Sequence, residues 1–456
     1  MRKLYKNIIL LSFLLFPVLQ AQGVSLRVVS ASDAIVQLNG QTNLQVTVVN
    51  ESAEPLVSLD FVLIVNKVKT GETHVDLTEP VEAFGSEYVL SLPVSADAEA
   101  GSVAKQVSIT KVNGGKNESA ENKADFTLLS VTQLEARRVV MEEYTGLWCG
   151  FCPKGEAAVN RMSDEFGERF IAFSIHSGDV LECADYINAS LMSSTFPKAS
   201  LQRTLNYIDP YLGTTEGYTE ICPIRHDVER LMGVPVEAAV ELAPEWTDAS
   251  ESQIRPNAKV TFRLNSSKAR YAMGYVLIED SMSGTGKNWA QADYYYLDDD
   301  YAKRFQGDEY MDEFLHPEET VVYNGTYYIP DFVNRRVVIS TLGIQRGMAN
   351  SIPQQITADE TLTLDHEMPV QSTKVQRKDR LAVAALLFNA NTGVIVNAAF
   401  AKVGGNSELH ADAPTAPGRL SEAARYGIDG RRLGAPSKGL NIVRLSDGSV
   451  RKVIVR

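Results

Sequence analysis

The side chains with the clearest chemistry are two thiols, Cys149 and Cys152, in the run Trp148-Cys149-Gly150-Phe151-Cys152-Pro153. Cysteines with a two-residue spacer can close a disulfide within one turn and reopen it by thiolate exchange. The exchange needs a thiolate, because the thiol is a poor nucleophile. At the first turn of a helix a cysteine meets unpaired backbone N–H groups and the positive end of the helix dipole, and both favour the anion. The pattern assigns Cys149 as the exposed attacking sulfur and Cys152 as the resolving one. Trp148 and Phe151 flank them as surfaces for a substrate chain. The competing readings are half of a zinc site and a structural disulfide. Zinc needs a second ligand pair at similar spacing, but Cys183 and Cys222 stand alone and no nearby histidine pair completes a site. The sequence calls for no metal and no cofactor.

The elements that must position these thiols are legible on both sides. Residues 138–144 read as a strand and 153–166 as a helix stopped by Gly167. The apolar run 170–175 reads as a buried parallel strand. Strand, CxxC helix and strand make the βαβ half of a thioredoxin-like domain. Glu143 lies six residues before Cys149, where thioredoxins carry a buried carboxylate. Burial there would raise its pKa and let it exchange a proton with Cys152. Glu142 is its neighbour, and because successive strand residues face opposite ways, one of the two points inward. Phe196-Pro197 follows a helical stretch (184–193) and precedes a strand (199–203). This is the place for a cis-proline whose preceding backbone pairs with a substrate peptide. Cys183 and Cys222 either bridge as a structural disulfide or sit as buried free thiols, and export tilts the choice to the bridge. His176 with Asp179 reads as a loop or packing pair, and the lone His74 as a surface residue.

The rest of the chain brackets that domain. Arg2, Lys3 and Lys6 before an apolar run at 8–19 predict a signal peptide over 1–21, too short to span a bilayer. No cysteine follows it to carry a lipid. Net charge is −13, which with no large basic cluster excludes a nucleic-acid partner. Residues 24–131 alternate apolar and polar in about seven short strands, among them Leu44/Val46/Val48, Leu59/Phe61/Leu63/Val65 and Val107/Ile109, and predict an immunoglobulin-like sandwich. The thioredoxin-like domain spans 132–232. Strand patterns return over 235–403, read as a C-terminal β-sandwich. Its patch Tyr294-Tyr295-Tyr296 with Asp298, Asp299 and Asp300 reads as a solvated acidic loop; a calcium loop lacks the required spacing and glycine. A linker (404–423) leads to a small β module (424–456) with turn signals at Asp429-Gly430, Lys438-Gly439 and Asp447-Gly448.

The run from Glu142 to Gly155, with His176-Ser177-Gly178-Asp179, Phe196-Pro197, Arg203 and Asp331-Phe332-Val333-Asn334 before Arg336, resembles the outer-membrane-protein-28-related thioredoxin-like exported proteins of Bacteroidota. The resemblance spans roughly 135–402 and implies association with the outer membrane or cell surface. The tail, with Tyr426-Gly427 and Gly439-Leu440-Asn441, is similar to type IX secretion sorting signals, although Asn441 stands where a tyrosine is usual. The fold class is thus multidomain α+β. The leading function is an exported thiol–disulfide oxidoreductase acting on protein thiols and disulfides. The rival is a surface receptor or adhesin that uses the thioredoxin-like core as scaffold.

Overall fold

The computed structural model describes residues 24–371, 373–404, 422–427, 431–433, 439–445 and 450–455. The fold is mixed α+β, mostly strands in several sheets. The chain divides into two compact units. The first holds residues up to 134 with 262–267 and 356–359, and the second holds the remainder. The expected signal peptide and most of the expected linker lie outside the described residues. So do Asp429-Gly430, Lys438 and Asp447-Gly448.

The first unit contains a β-sandwich. Leu26–Ala31, Gln41–Asn50 and Tyr88–Ser95 form one sheet. Gly101–Val112 and Lys123–Val131 centre the other. Alternation does the work here: Leu44, Val46, Val48, Leu59, Phe61, Leu90, Leu92, Val107 and Ile109 all enter one core, while their neighbours face out. His74 is exposed and paired with Asp60 at 2.5 Å.

The second unit is built on one eight-stranded sheet. Its elements in chain order are β1 (Val139–Thr145), α1 (Pro153–Phe166), β2 (Phe170–His176), α2 (Ala184–Asn188), β3 (Lys198–Leu201), β4 (Leu205–Ile208), α3 (Ile224–Met232), β5 (Tyr271–Glu279), β6 (Val337–Leu342), β7 (Leu381–Asn389) and β8 (Ile395–Lys402). The strand order is β4-β3-β1-β2-β6-β5-β7-β8. β1 runs parallel to β2, through Tyr144 opposite Ile175, and antiparallel to β3, through Tyr144 opposite Lys198. A thin junction joins β2 to β6 at Ser174 and Val337.

The separate C-terminal sandwich expected over 235–403 is therefore corrected. Its principal strands exist near their expected places, but β5 to β8 extend the sheet that carries the cysteines. The physical reason is burial. Tyr271–Glu279 reads as alternating, yet eight of its nine residues are buried, because the strand lies inside a sheet covered on both faces. Asn397 on β8 accepts the Arg138 amide at 3.0 Å, and Gln202 after β3 donates to Ile395 O at 3.2 Å. The sheet thus curls until its far edge bonds back to the start of β1. Short sheets elsewhere in the unit include the antiparallel Gln291–Asp293, Thr326–Ile329 and Val321–Tyr323. The C-terminal strands Glu422–Gly427, Arg432–Leu433, Gly439–Leu445 and Val450–Val455 form an antiparallel sheet of their own.

Two cores flank the large sheet. One face packs Val139, Met141 and Leu201 against α1 and α3. The other packs Val140, Phe173, Val276, Leu386 and Phe388 around Tyr186 of α2. All seven residues of β1 are buried, so Glu142 and Glu143, which face opposite ways as alternation requires, are both enclosed. Glu142 meets a bidentate Arg203, with Nη2 to Oε1 at 2.6 Å and Nε to Oε2 at 2.8 Å, and accepts the Tyr186 hydroxyl at 2.8 Å. Arg203 also donates to the Ile344 and Gln345 carbonyls and lies over the Phe388 ring. Removing one partner of such a buried pair strands the other charge. Arg203→Ala should cost about 3–5 kcal/mol in denaturant unfolding, and Glu142→Gln combined with Arg203→Met should recover much of it; a loss under about 1 kcal/mol would show the pair to be solvated.

Candidate functional site

Cys149 and Cys152 are joined in a disulfide, with Cα atoms 5.4 Å apart. The loop forms because Cys152 caps α1 in helical geometry and Pro153, needing no amide partner, opens the helix. Cys149 N donates to Gly146 O at 3.0 Å and Cys152 N to Cys149 O at 3.1 Å, winding the turn. Cys149 is 6% exposed and Cys152 2%, so Cys149 is buried here and not the exposed sulfur the sequence suggests. Trp148 and Phe151 stand out at 49% and 41%.

The loop is held from three sides. His176 at the end of β2 bonds Asp179 at 2.9 Å, and Asp179 accepts the Leu147 and Leu181 amides, each at 2.8 Å. Burial works against the Asp179 charge, but His176 and the two amides outweigh it and hold the carboxyl below its usual range. This pair, expected as a loop contact, anchors the approach to the cysteines. Trp148 lies against Gly146 and Gly178, donates Nε1–H to Ser177 O at 2.7 Å and meets the Phe196 ring edge-on at 5.5 Å.

The third side is the Tyr/Asp segment, and it corrects the solvated-loop reading. Ala292 N donates to Leu147 O at 2.7 Å, Gln291 Nε2 to Cys149 O at 3.0 Å, Tyr294 N to Gly150 O at 3.0 Å and the Tyr295 hydroxyl to Phe151 O at 3.1 Å. Four carbonyls of the cysteine loop are thus satisfied by one strap. Tyr294 lies on Gly150, where an added Cβ would run into its ring. Phe151 packs edge-on to Tyr294 at 4.9 Å and to Tyr295 at 6.3 Å. Asp293 in the strap is buried and its carboxyl is pushed up to about 6 by desolvation. The acidic end remains solvated: Asp299 and Asp300 are exposed, and Asp298 caps the helix Asp299–Arg304. The tripled tyrosine was the available signal; nothing in the spacing says that it reaches back to the cysteines.

Glu143 sits on the α1 face of β1, 1% exposed, with neither carboxylate oxygen in a hydrogen bond. Gly155 makes room for it, since a Cβ there would lie 2.5 Å from Oε1. Desolvation raises its pKa well above the ordinary value, the Glu156 charge raises it further, and the Ser174 and Thr145 hydroxyls offset little of this. Glu156, one turn into α1, is half-buried and accepts from Asn160 at 3.1 Å. The Phe196–Pro197 bond is cis. No hydrogen bond among the described residues uses the Phe196 amide or carbonyl.

Cys183 and Cys222 are free and buried, which overturns the bridge. Cys183 belongs to the core on the α2 face and Cys222 to the core on the α1 face. The sheet stands between them, so their sulfurs cannot reach bonding distance. Burial pushes both thiols up. Among the described residues no cluster of three or more His, Cys, Asp or Glu side chains could hold a metal, and no helix is long and apolar enough to cross a membrane.

The chain matches no family model and no curated protein. Among solved structures it is similar to HBP35 of Porphyromonas gingivalis, at 15% identity over 71% of this chain and 99% of that one, with a TM-score of 0.40. It is similar to protein AGR_C_4864 from Agrobacterium tumefaciens at 14% identity, covering 60% and 98%, with a TM-score of 0.31. The CARDB domain of the PF1109 protein from Pyrococcus furiosus is similar at 18% identity, covering 24% and 90%, with a TM-score of 0.18.

Two outcomes follow from the geometry. Gly150→Ala and Tyr294→Ala should each loosen the strap and speed reduction of Cys149–Cys152 by a small thiol several-fold; unchanged rates in both would mean that the strap does not shield the bond. Glu143 has a raised folded pKa, so the native state binds its proton more tightly and stability falls as pH rises above the unfolded value of 4.5. The stability of Glu143→Gln relative to wild type should therefore rise as pH increases from 4.5 towards neutrality in denaturant melts, and a pH-independent difference would refute the buried-acid assignment.

Proposed function

We propose that the protein is an exported thiol–disulfide oxidoreductase whose second unit contains a thioredoxin-like domain. The observation that carries this reading is the partnerless, buried Glu143 beside the first turn of the helix that Cys152 opens. A buried acid with no hydrogen bond weakens a fold, and its usefulness lies in holding and releasing a proton. The topology supports the same reading. β2-β1-β3-β4 with α1, α2 and α3 follows thioredoxin order, and Pro197 begins the turn into β3. The first unit serves as an immunoglobulin-like module, and the C-terminal sheet as a sorting-type module at the periplasm, outer membrane or cell surface.

The reaction is a two-step exchange. The Cys149 thiolate attacks a protein disulfide, forms a mixed disulfide and releases one substrate thiolate. Cys152 gives up its proton and attacks the Cys149 sulfur, closing Cys149–Cys152 and releasing the second thiolate. Two electrons pass to the substrate, and the same steps in reverse oxidise a dithiol. Glu143 takes the Cys152 proton. The open backbone of Phe196 pairs with the substrate chain as an added strand, and the exposed rings of Trp148 and Phe151 provide apolar contact.

Cys149→Ser should abolish reduction of a protein disulfide and oxidation of a reduced protein, while far-ultraviolet circular dichroism stays unchanged. Wild-type protein inert in both assays across a range of redox buffers would end this reading.

A further inference from the structure

Glu143 poses a transport problem that its own position does not solve. It is sealed from solvent, so a proton passed to it by Cys152 must leave through another group before the next cycle. One side chain and one cavity answer this. A small cavity, room for one water, is lined by Cys152, Glu156, His176, Gln291, Asn334 and Arg335. Its lining is polar enough to hold that water. Glu143 does not line it; Glu156 does, and Glu156 is half-buried where Glu143 is closed off.

We infer that Glu156 is the outer proton carrier of this site, linking the Cys152 thiol to solvent through a water in that cavity. The inference rests on the oxidoreductase reading and adds a group to it. As Cys152 attacks the Cys149 sulfur, Glu143 takes its proton; past the Ser174 and Thr145 hydroxyls beside Glu143, which line the cavity, a proton then passes to the water while the water gives one to the Glu156 carboxylate. Glu156 then releases it outward, and the leaving substrate thiolate recovers a proton from solvent.

The surroundings fit a group that must change charge. Desolvation raises the Glu156 carboxyl. The Arg335 and Arg336 charges ahead of β6 and the Asn160 bond on α1 pull it back down, while Asp280 after β5 pushes it up. Glu143 on β1 and Glu313 are coupled to it as like charges, and His176 faces it across the cavity. Arg336 is itself fixed by Asn160 at 2.8 Å, so that cation is held as the carboxyl titrates. A purely structural glutamate at this position would be expected to pair directly with one of these arginines.

The full chain tests this in two ways. In Cys149→Ser the Cys152 thiol is free, and its pKa is read from thiolate absorbance as the difference from Cys149→Ser/Cys152→Ser. Adding Glu156→Gln removes a nearby negative charge and should lower the Cys152 pKa by about one unit, whereas Glu156→Asp should leave it within a few tenths. This titration needs no turnover, so it is separable from failure of the exchange assay. In the wild type, the rate at which the mixed disulfide resolves should rise with pH through an inflection above 4.5. Glu156→Gln should erase that inflection and slow the step roughly 100-fold. A Cys152 pKa unmoved by Glu156→Gln, or a wild-type profile without the inflection, would overturn the inference.

Discussion

The structure turns on a strand that cannot afford its own charges. β1 is buried along its whole length and carries two consecutive glutamates, which alternation sends to opposite faces of the sheet. Transferring an ionised carboxylate to such a site costs several kcal/mol unless it is paired or neutralised. The two faces solve this differently. Glu142 receives a guanidinium and a phenol, and Arg203 extends that bonding to Ile344 and Gln345 beyond β6. Glu143 receives no partner and is stabilised in its protonated form. One strand therefore yields a fixed ion pair on one face and a titratable acid on the other, and only the second lies beside the cysteine helix.

Long-range coverage makes this burial possible. β5 to β8 lie beyond β2, and the sheet curls until Asn397 and Gln202 tie β8 to the start of β1. The segment carrying Tyr295, Phe305, Met311 and Phe314 joins the core that α1 enters. Val159 of α1 is fully buried in that core. The same segment supplies the strap over the cysteine loop. A loop whose carbonyls are bonded by Ala292, Gln291, Tyr294 and Tyr295 is pre-organised rather than mobile. Tyr294 covers Gly150 on one side of the loop, and Trp148 packs against Phe196 on the other.

These features separate what was legible in the sequence from what was not. The cysteine spacing, the helix starting at Pro153, its stop at Gly167, the buried strand from Phe170 and the place of Phe196-Pro197 are local, because each is written in a few adjacent residues. The alternation of Leu44, Val46 and Val48 is equally local, since one face of a sandwich strand meets water. β5 to β8 mislead for the opposite reason: strand identity is local, but strand partnership is not, and a strand's pattern does not name its neighbour. Tyr294 and Tyr295 were visible as a cluster, yet their role depends on a return across more than a hundred residues. Cys183 and Cys222 show the limit most plainly. Their separation in sequence allows a bridge, and only their placement on opposite faces forbids it.

That separation also bears on the chemistry. An oxidising compartment would pair any thiols that could meet, and scrambling among four cysteines would compete with exchange at one pair. Here the sheet divides them. Cys183 and Cys222 are enclosed in separate apolar cores, where desolvation holds each thiol protonated and unreactive. Cys149 and Cys152 instead occupy the turn that leads into α1, where they are bonded to each other. The same burial that forces a proton onto Glu143 thus keeps the spare thiols silent, and leaves Cys149–Cys152 as the bonded pair, in the turn beside that carboxyl.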